Sequence, residues 1–164
     1  MPEVEKEKTP RQALASLMRL CSRSEKCISD ARRLLRRWGI SDADAEAVVR
    51  KLVSERFIDE NRYAASYVRD KVNLSGWGVH KIRAALAAKG VAKDAVERAL
   101  SAVDKDGGRC RLLVRMERKM KSISGGTVYE KRTKIIRYGL SLGFDYEDVL
   151  GVADKICRDE QDED

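Results

Sequence analysis

Apolar residues recur every three or four positions along almost the whole of this chain, which is the spacing of amphipathic helices. The clearest case is the segment 25–38, where the apolar side chains fall within an arc of about 120° on a helical wheel. They are Cys27, Ile28, Ala31, Leu34, Leu35 and Trp38. No segment alternates apolar and polar residues over the length of a strand. The pattern therefore predicts an all-α protein.

Glycines and helix caps must mark the helix ends, because both prolines precede residue 11. Ser24 is expected to cap the second helix, and Ser41 or Asp42 the third. A glycine-containing turn, 75–78, separates two helices within the stretch 57–91. The predicted helices cover 11–23, 25–38, a segment after residue 42, two segments of 57–91, 93–103, a segment after Asp106-Gly107-Gly108, 127–142 and 146–158.

Three helix-ending glycines divide the chain at regular intervals. Gly39, Gly90 and Gly143 stand 51 and 53 residues apart, and each precedes a large apolar residue. This period predicts three-helix repeats at 11–56, 57–106 and 107–158, between a disordered arm, 1–10, and an acidic disordered tail, 159–164. One repeat of about fifty residues is marginal alone. The repeats are therefore expected to stack into an elongated, curved array.

The charge distribution favours an anionic partner. Lys and Arg number 34 against 27 Asp and Glu, and the net charge is +7. Five of those acids lie in the last six residues, so residues 1–158 carry a net charge of +12. A body this basic suits a polyanion or an acidic protein surface. A helical protein with many solvated cations would have the same composition.

The cysteines and the hydropathy indicate the compartment. Cys21, Cys27, Cys110 and Cys157 form no CxxC pair, and they are expected to be small reduced core residues. The chain has no apolar run of about 18 residues and no signal-peptide pattern. We expect a soluble, cytoplasmic, monomeric protein without membrane contact.

The residue types that carry catalysis are scarce. His80 is the sole imidazole and lies among basic residues, where a solvent-facing or phosphate-facing position is the common role. It has neither a GxSxG motif nor a cysteine set with which to form a triad or a zinc site. Gly76-Trp77-Gly78 lacks the third glycine of a dinucleotide fingerprint, and no GxxxxGK[ST] occurs. We expect no enzyme activity, no metal and no cofactor.

Basic helix faces are the candidate binding residues. They comprise Arg32, Arg33, Arg36 and Arg37; Arg62, Arg69, Lys71, Lys81 and Arg83; Arg111, Arg115, Arg118 and Lys119; and Lys131, Arg132, Lys134 and Arg137. Because they recur in every predicted repeat, they could form a basic track for a filament or a nucleic-acid backbone. Trp77, between two glycines, is expected to be exposed, whereas Trp38, Tyr63 and Tyr67 occupy helix-packing positions. Ordinary solvated helix faces remain the alternative.

Two motifs carry a family resemblance. The stretch 57–64, FIDENRYA, resembles the L-I-D-D-x-R-F-A signature of the RecX family of recombinase regulators. Residues 76–91, from GWG through KIR to KGV, look like that family's G-x-G-xxx-I-R-xx-L-xx-K-G-I. Both motifs occur in the family's order and spacing, and the likeness runs over about 13–100. In the first repeat, Trp38 stands where the family usually has a Lys-Gly pair. The third repeat matches the family only in its helical pattern.

The resemblance implies an all-helical protein of tandem three-helix repeats that binds the RecA recombinase filament. Such proteins lie in the filament groove and restrain strand exchange, ATP hydrolysis and coprotease activity without being enzymes. This implies a regulatory role in recombination, DNA repair and the SOS response. The motif positions are expected to be structural, so the basic faces are a separate hypothesis for the contacts. A general DNA-binding protein without sequence specificity is the alternative function.

Overall fold

The structure, a computed structural model, describes residues 6–163, and every regular element in that part of the chain is helical. Its helices are α1 (Pro10–Arg23), α2 (Ile28–Arg37), α3 (Asp42–Ser54), α4 (Glu60–Asp70), α5 (Val79–Ala88), α6 (Lys93–Ser101), α7 (Lys105–Ser122), α8 (Val128–Ser141) and α9 (Tyr146–Asp162). A π-helical turn, Lys71–Ser75, continues α4. The predicted all-α architecture is confirmed. None of these helices has the combined length and apolarity that crossing a lipid bilayer requires.

Helix α1 begins at Pro10 because Thr9 caps it. The Thr9 hydroxyl accepts a hydrogen bond from the Gln12 N–H, and the Gln12 side chain accepts one from the Thr9 N–H. The Lys8 N–H also donates to the Trp38 carbonyl over 3.2 Å. The predicted disordered arm, 1–10, is therefore too long at its C-terminal end, and its residues 1–5 lie outside the described part of the chain.

Helix α2 starts three residues later than predicted. Ser24 does not cap it, because the Ser24 N–H closes α1 on the Leu20 carbonyl. Cys27 occupies the N-cap position instead, and the Asp30 carboxylate accepts a hydrogen bond from its N–H. The prediction that Ser41 or Asp42 caps α3 is confirmed for Ser41, because its hydroxyl accepts a hydrogen bond from the Asp44 N–H.

Helix α7 begins before the two glycines that were expected to precede it. Asp104 caps the helix at Lys105, so Gly107 and Gly108 lie within its first turns. The expectation of a break there is wrong because a good N-cap outweighs the weak helix propensity of glycine.

Helix α9 continues to Asp162 rather than ending at Arg158. No glycine or proline follows Arg158, so nothing in the chain stops the helix there. Most of the predicted disordered tail, 159–164, is thus helical, and residue 164 lies outside the described residues.

The described residues form two compact units. Unit 1 consists of residues 6–67 and Leu86–Ala99, and unit 2 consists of Val68–Ala85 and residues 100–163. The main core of unit 1 contains Ala13, Leu17, Ala31, Leu35, Trp38, Ile40, Ala45, Val48, Val49, Leu52 and Ile58. These side chains come from the apolar stripes of α1, α2 and α3, which the helical spacing located, and from the segments after α2 and α3.

The core of unit 2 joins α7, α8 and α9. Its buried side chains are Leu112, Met116, Met120, Ile135, Leu142, Val149, Ala153, Ile156 and Cys157. The N-terminal end of α5 also packs on the segment after α8 through the backbone, since the Gly78 N–H donates to the Leu142 carbonyl over 2.7 Å. A Cβ atom on Gly78 would lie 2.4 Å from the Gly143 carbonyl oxygen, so this contact requires glycine.

The three helix-ending glycines share one conformation. Gly39, Gly90 and Gly143 have φ angles of +76°, +73° and +92°. This left-handed backbone, which side chains disfavour, ends a helix and turns the chain towards the next one. Within residues 6–163 these glycines follow α2, α5 and α8, the second, fifth and eighth of the nine helices. The exact boundaries of the three repeats stay a prediction.

Candidate partner-binding site

The first family-like motif, 57–64, joins two segments of unit 1 through hydrogen bonds. Asp59 caps α4 by accepting a hydrogen bond from the Arg62 N–H over 3.1 Å. The Arg62 guanidinium donates to the Glu25 carboxylate over 2.6 Å and to the carbonyl oxygens of Arg56 and Phe57. One side chain therefore ties the loop after α3 to the segment before α2. Of the predicted binding residues, Arg62 is committed to contacts within the chain.

Lys89, in the second motif, joins a polar cluster in the same unit. Its ammonium group donates to the Asp30 carboxylate over 3.2 Å and lies 5.9 Å from the ring centre of Tyr63. Lys89 is two-thirds buried and Asp30 more so. These contacts tie the end of α5 to α2 and α4.

The pKa values of this cluster reflect burial and mutual contact. Burial raises the pKa of Tyr63 to about 12. Burial opposes the charge of Lys89, but its contacts with Tyr63 and Asp30 outweigh burial and raise its pKa. Burial also disfavours the Asp30 carboxylate, yet hydrogen bonds from Cys27 and Lys89 lower its pKa. The neutral phenol and the Lys89–Asp30 ion pair are therefore the forms that the fold stabilises.

The basic face of α2 is largely paired within unit 1. Arg32 donates two hydrogen bonds to the Glu46 carboxylate, over 2.9 and 3.2 Å. Arg33 lies 3.5 Å from Asp30, and Arg37 has an interaction partner in the chain as well. Arg36 is exposed. The four arginines therefore present less uncompensated charge than the sequence indicates.

Two predicted lysines flank Trp77 in unit 2. The Lys71 and Lys81 ammonium groups lie 4.6 and 4.4 Å from the centre of its ring, within the range of cation–π attraction. Trp77 is half-buried rather than exposed. Both lysines therefore already have a contact within the chain.

His80 is exposed, as expected, but it is not free. Its Nε2 atom is hydrogen-bonded to the Asp145 carboxylate, and Arg83 lies 3.4 Å from its Nδ1 atom. Arg69, on α4, is exposed. No described group of three or more His, Cys, Asp and Glu side chains could hold a metal ion.

The face of α7 has a different environment. Arg111, Arg115 and Arg118 line a surface groove in unit 2 together with Val72, Asn73, Gly76, Cys110 and Val114. We call this the α7 arginine groove. A Cβ atom on Gly76 would lie 2.7 Å from the Arg115 guanidinium, so the glycine makes room for that group. Within residues 6–163, no ion pair joins these three arginines to a carboxylate, and none of the described groove residues is acidic.

A second groove lies between α7 and α8. Lys119, Lys134 and Arg137 line it together with Ser122, Ser124, Tyr138 and Ser141. The Lys119 ammonium group lies 5.6 Å from the ring centre of Tyr138. We call this the α7–α8 groove. Its described lining also lacks acidic residues, whereas the nearby Arg132 is bound to Asp154 over 2.8 Å and Lys131 is half-buried.

Sequence reasoning located the α7 cations but not what surrounds them. Asn73 belongs to the π-helical turn, which the helical pattern did not single out, and Gly76 belongs to the predicted turn after it. Cys110, expected in the core, is exposed in the same groove. The Lys89–Asp30 contact also escaped, because it joins positions 59 residues apart.

Comparison with known proteins gives consistent matches. A family model described as RecX, second three-helix domain, matches residues 59–100. The regulatory protein RecX of Shewanella oneidensis is 34% identical over 113 residues, which cover 60% of this chain and 86% of that protein. The regulatory protein RecX of Clostridium botulinum strain Alaska E43 is 32% identical over 114 residues, covering 66% of this chain and 53% of its own length. The chain spans about half the length of several such curated relatives.

Solved structures share the fold. A crystal structure of RecX from Lactobacillus salivarius aligns with a TM-score of 0.76 at 22% identity, over 90% of this chain and 96% of that one. A second crystal structure, of a regulatory protein RecX, aligns with a TM-score of 0.81 at 21% identity, over 88% and 73% of the two chains. At these identities the structural match establishes the all-α helical-repeat fold.

Proposed function

Because the chain belongs to the RecX family of regulatory proteins, we propose that it binds the RecA recombinase filament and inhibits its strand-exchange, ATPase and coprotease activities. It acts by binding, as a non-enzymatic regulator of recombination, DNA repair and the SOS response. Its contacts are made in part by unit 2.

One observation supports unit 2 in particular. The α7 arginine groove presents three guanidinium groups with no described carboxylate in its lining. Guanidinium groups without internal partners can form bidentate hydrogen bonds with carboxylates or phosphates of another molecule. Placed beside the exposed Val114, they have the mixed apolar and arginine character of protein-binding surfaces.

The test measures RecA ATPase activity on single-stranded DNA while the full chain is added in increasing amounts. Co-sedimentation with preformed filaments is measured in parallel, so that binding and inhibition are separated. We expect the chain to pellet with the filament and the ATPase rate to fall over the same concentration range. Unchanged ATPase activity at excess protein, without co-sedimentation, would rule the proposal out.

Direct DNA binding without sequence preference is the second candidate, and the α7–α8 groove favours it. Three cations around one open groove without an acidic residue in its described lining suit the phosphates of a nucleic-acid backbone. Binding of this kind weakens steeply as salt rises, because counterions are released from the phosphates.

The two candidates differ in what the chain prefers. We expect tighter binding to RecA-coated single-stranded DNA than to the same DNA alone, at equal salt. Equal affinity for both, with the same salt dependence, would favour general DNA binding. The double variant Lys134→Gln and Arg137→Gln should then weaken both to the same extent.

A further inference from the structure

A small apolar cavity opens in unit 2 beside the α7 arginine groove. It has a volume of about 70 Å³, and its walls include Val72, Trp77, Val79, Val103, Gly108 and Phe144. For comparison, a cavity volume of about 10–15 Å³ holds a single water molecule. The cavity is therefore large enough for a branched aliphatic side chain. Val72 and Arg111 belong to the lining of both the cavity and the groove, so the two are contiguous.

Gly108 is what keeps this cavity open. It lies in helix α7, where glycine is less favourable than alanine because it loses more conformational freedom on folding. A Cβ atom there would meet its nearest described neighbour, the Phe144 ring, at an ordinary distance of 3.8 Å. Packing does not demand glycine here, in contrast to Gly78, where a Cβ atom would lie 2.4 Å from backbone. The chain thus forgoes helix stability at a position where a side chain would occupy the cavity.

Charge around the cavity is asymmetric. Asp148 is paired with Arg109 over 2.8 Å, Asp145 is bound to His80, and the Asp104 carboxylate accepts from the N–H of Asp106. These three carboxylates and Lys105 share the cavity lining with Arg109 and Arg111. Arg111 has no carboxylate partner within residues 6–163, and the lining continues from it to Arg115 and Arg118. An acidic ligand would be repelled on the aspartate side and attracted on the arginine side.

From this arrangement we infer that unit 2 binds a peptide segment of a partner protein in which carboxylates neighbour one apolar side chain. The apolar side chain enters the cavity, and the carboxylates pair with Arg111, Arg115 and Arg118. An apolar anchor in a pocket beside arginines is the usual composition of an interface hot spot. The inference rests on the proposed function, because it names the kind of segment that the filament presents to this groove.

The cavity distinguishes this partner from a nucleic acid. A phosphate backbone would pair with the same arginines but would leave an apolar cavity of this size empty. Filling the cavity should therefore weaken the binding of the peptide segment and leave phosphate contacts unchanged.

The experiment fills the cavity from its wall. The variants are Gly108→Leu, which occupies the cavity, and Gly108→Ala, which adds one methyl group at a position with room for it. Gly151→Leu is the matched control, because Gly151 is an exposed glycine in helix α9 with no described atom within 4 Å of a Cβ there. Each full chain is titrated against RecA filaments on single-stranded DNA and assayed by co-sedimentation, with helicity checked by circular dichroism.

We expect Gly108→Leu to lose at least tenfold in filament affinity, Gly108→Ala to lose about threefold, and Gly151→Leu to bind like the wild type. Wild-type affinity of a folded Gly108→Leu chain for the filament would overturn the inference and leave the proposed function intact. If Gly108→Leu does not fold, Gly108→Ala provides the test. An unchanged filament affinity of Gly108→Ala would likewise overturn the inference. Absence of wild-type co-sedimentation would instead remove the proposed function.

A second copy of this chain is the other occupant to be tested. Analytical ultracentrifugation of the wild type and of Gly108→Leu gives the answer without RecA. We expect the same sedimentation coefficient for both at micromolar concentration. A wild-type dimer that Gly108→Leu dissociates would assign the cavity to self-association and overturn the inference.

Discussion

Helices α2 and α7 look alike in sequence and differ in what faces them. On each, a predicted basic face of four residues lies opposite an apolar stripe. In unit 1, the α2 arginines meet Glu46 and Asp30, which take up two of the four charges. In unit 2, Arg111, Arg115 and Arg118 of α7 meet Asn73, Gly76 and Val114. A basic helix face is therefore a candidate binding site only where its neighbours leave the charge uncompensated.

The difference arises from the elements that pack beside each helix. Helix α3 follows α2 and begins with an acidic first turn, and Glu46 lies one turn further on. The π-helical turn Lys71–Ser75 contributes polar and apolar residues to the α7 arginine groove but no carboxylate. Exposed ion pairs contribute at most about 1 kcal/mol each. The ion pairs of the α2 arginines therefore mainly neutralise charge and add little to the stability of the fold.

The largest effect should come from the buried apolar residues rather than from the charged faces, and we expect it at Ile82. This residue is fully buried in unit 2, so Ile82→Asp places a carboxylate where no water reaches it. We expect a loss of about 3–5 kcal/mol in the free energy of unfolding, measured in urea. Ala84→Asp, on an exposed position of the same helix, is the control and should lose less than about 0.5 kcal/mol. Comparable losses would show that Ile82 is not a core residue.

The comparison itself is tested by neutralising three arginines on each helix. The triple variant Arg111→Gln, Arg115→Gln and Arg118→Gln should lose about 100-fold in filament affinity, which corresponds to about 2.7 kcal/mol. Arg32→Gln, Arg33→Gln and Arg36→Gln together change the net charge equally and should lose no more than about threefold, since two of these arginines are already paired. Co-sedimentation with RecA filaments measures both. Equal losses would show that net charge, not the groove, determines binding.

A motif arginine should behave in the opposite way. Arg62→Ala removes hydrogen bonds to Glu25, Arg56 and Phe57, so we expect a loss of about 1–2 kcal/mol in stability. Filament affinity measured below the unfolding transition should not change. Arg69→Ala, on the same helix and exposed, is the matched control and should change stability little. A selective loss of filament affinity in Arg62→Ala would place Arg62 in the interface.

The smallest effect is a pH dependence confined to unit 1. The pKa of Tyr63 is raised to about 12 by burial, above a value near 10 in unfolded chains. The neutral phenol is therefore the stabilising form, and its contribution is complete below pH 10 and lost as the pH rises through 12. The raised pKa of Lys89 acts in the same direction.

Urea unfolding between pH 9 and 11 measures the first part of this loss, which we expect to be about 1 kcal/mol. Tyr63→Phe cannot ionise and should lose less stability over the same range. Tyr129→Phe, at an exposed position, is the control and should follow the wild type. A Tyr63→Phe profile that parallels the wild type would exclude Tyr63 as the group responsible.

Sequence reasoning failed where local signals competed. Ser24 and Cys27 both stand before a helical stretch, and the Asp30 carboxylate makes Cys27 the cap. Gly107 and Gly108 read as a break, yet Asp104 nucleates the helix ahead of them. Each outcome depends on one side chain that the hydrophobic pattern does not weigh.

The sequence by itself determined the helices and their buried faces, because a period near 3.6 residues and glycines suited to positive φ are local properties of the chain. It also determined where the cations lie on each helix. Only the tertiary structure decided which cations remain available, because charge compensation joins residues far apart, such as Arg62 with Glu25 and Lys89 with Asp30. The cavity beside Gly108 likewise depends on the tertiary structure, since its walls come from four separate segments of the chain.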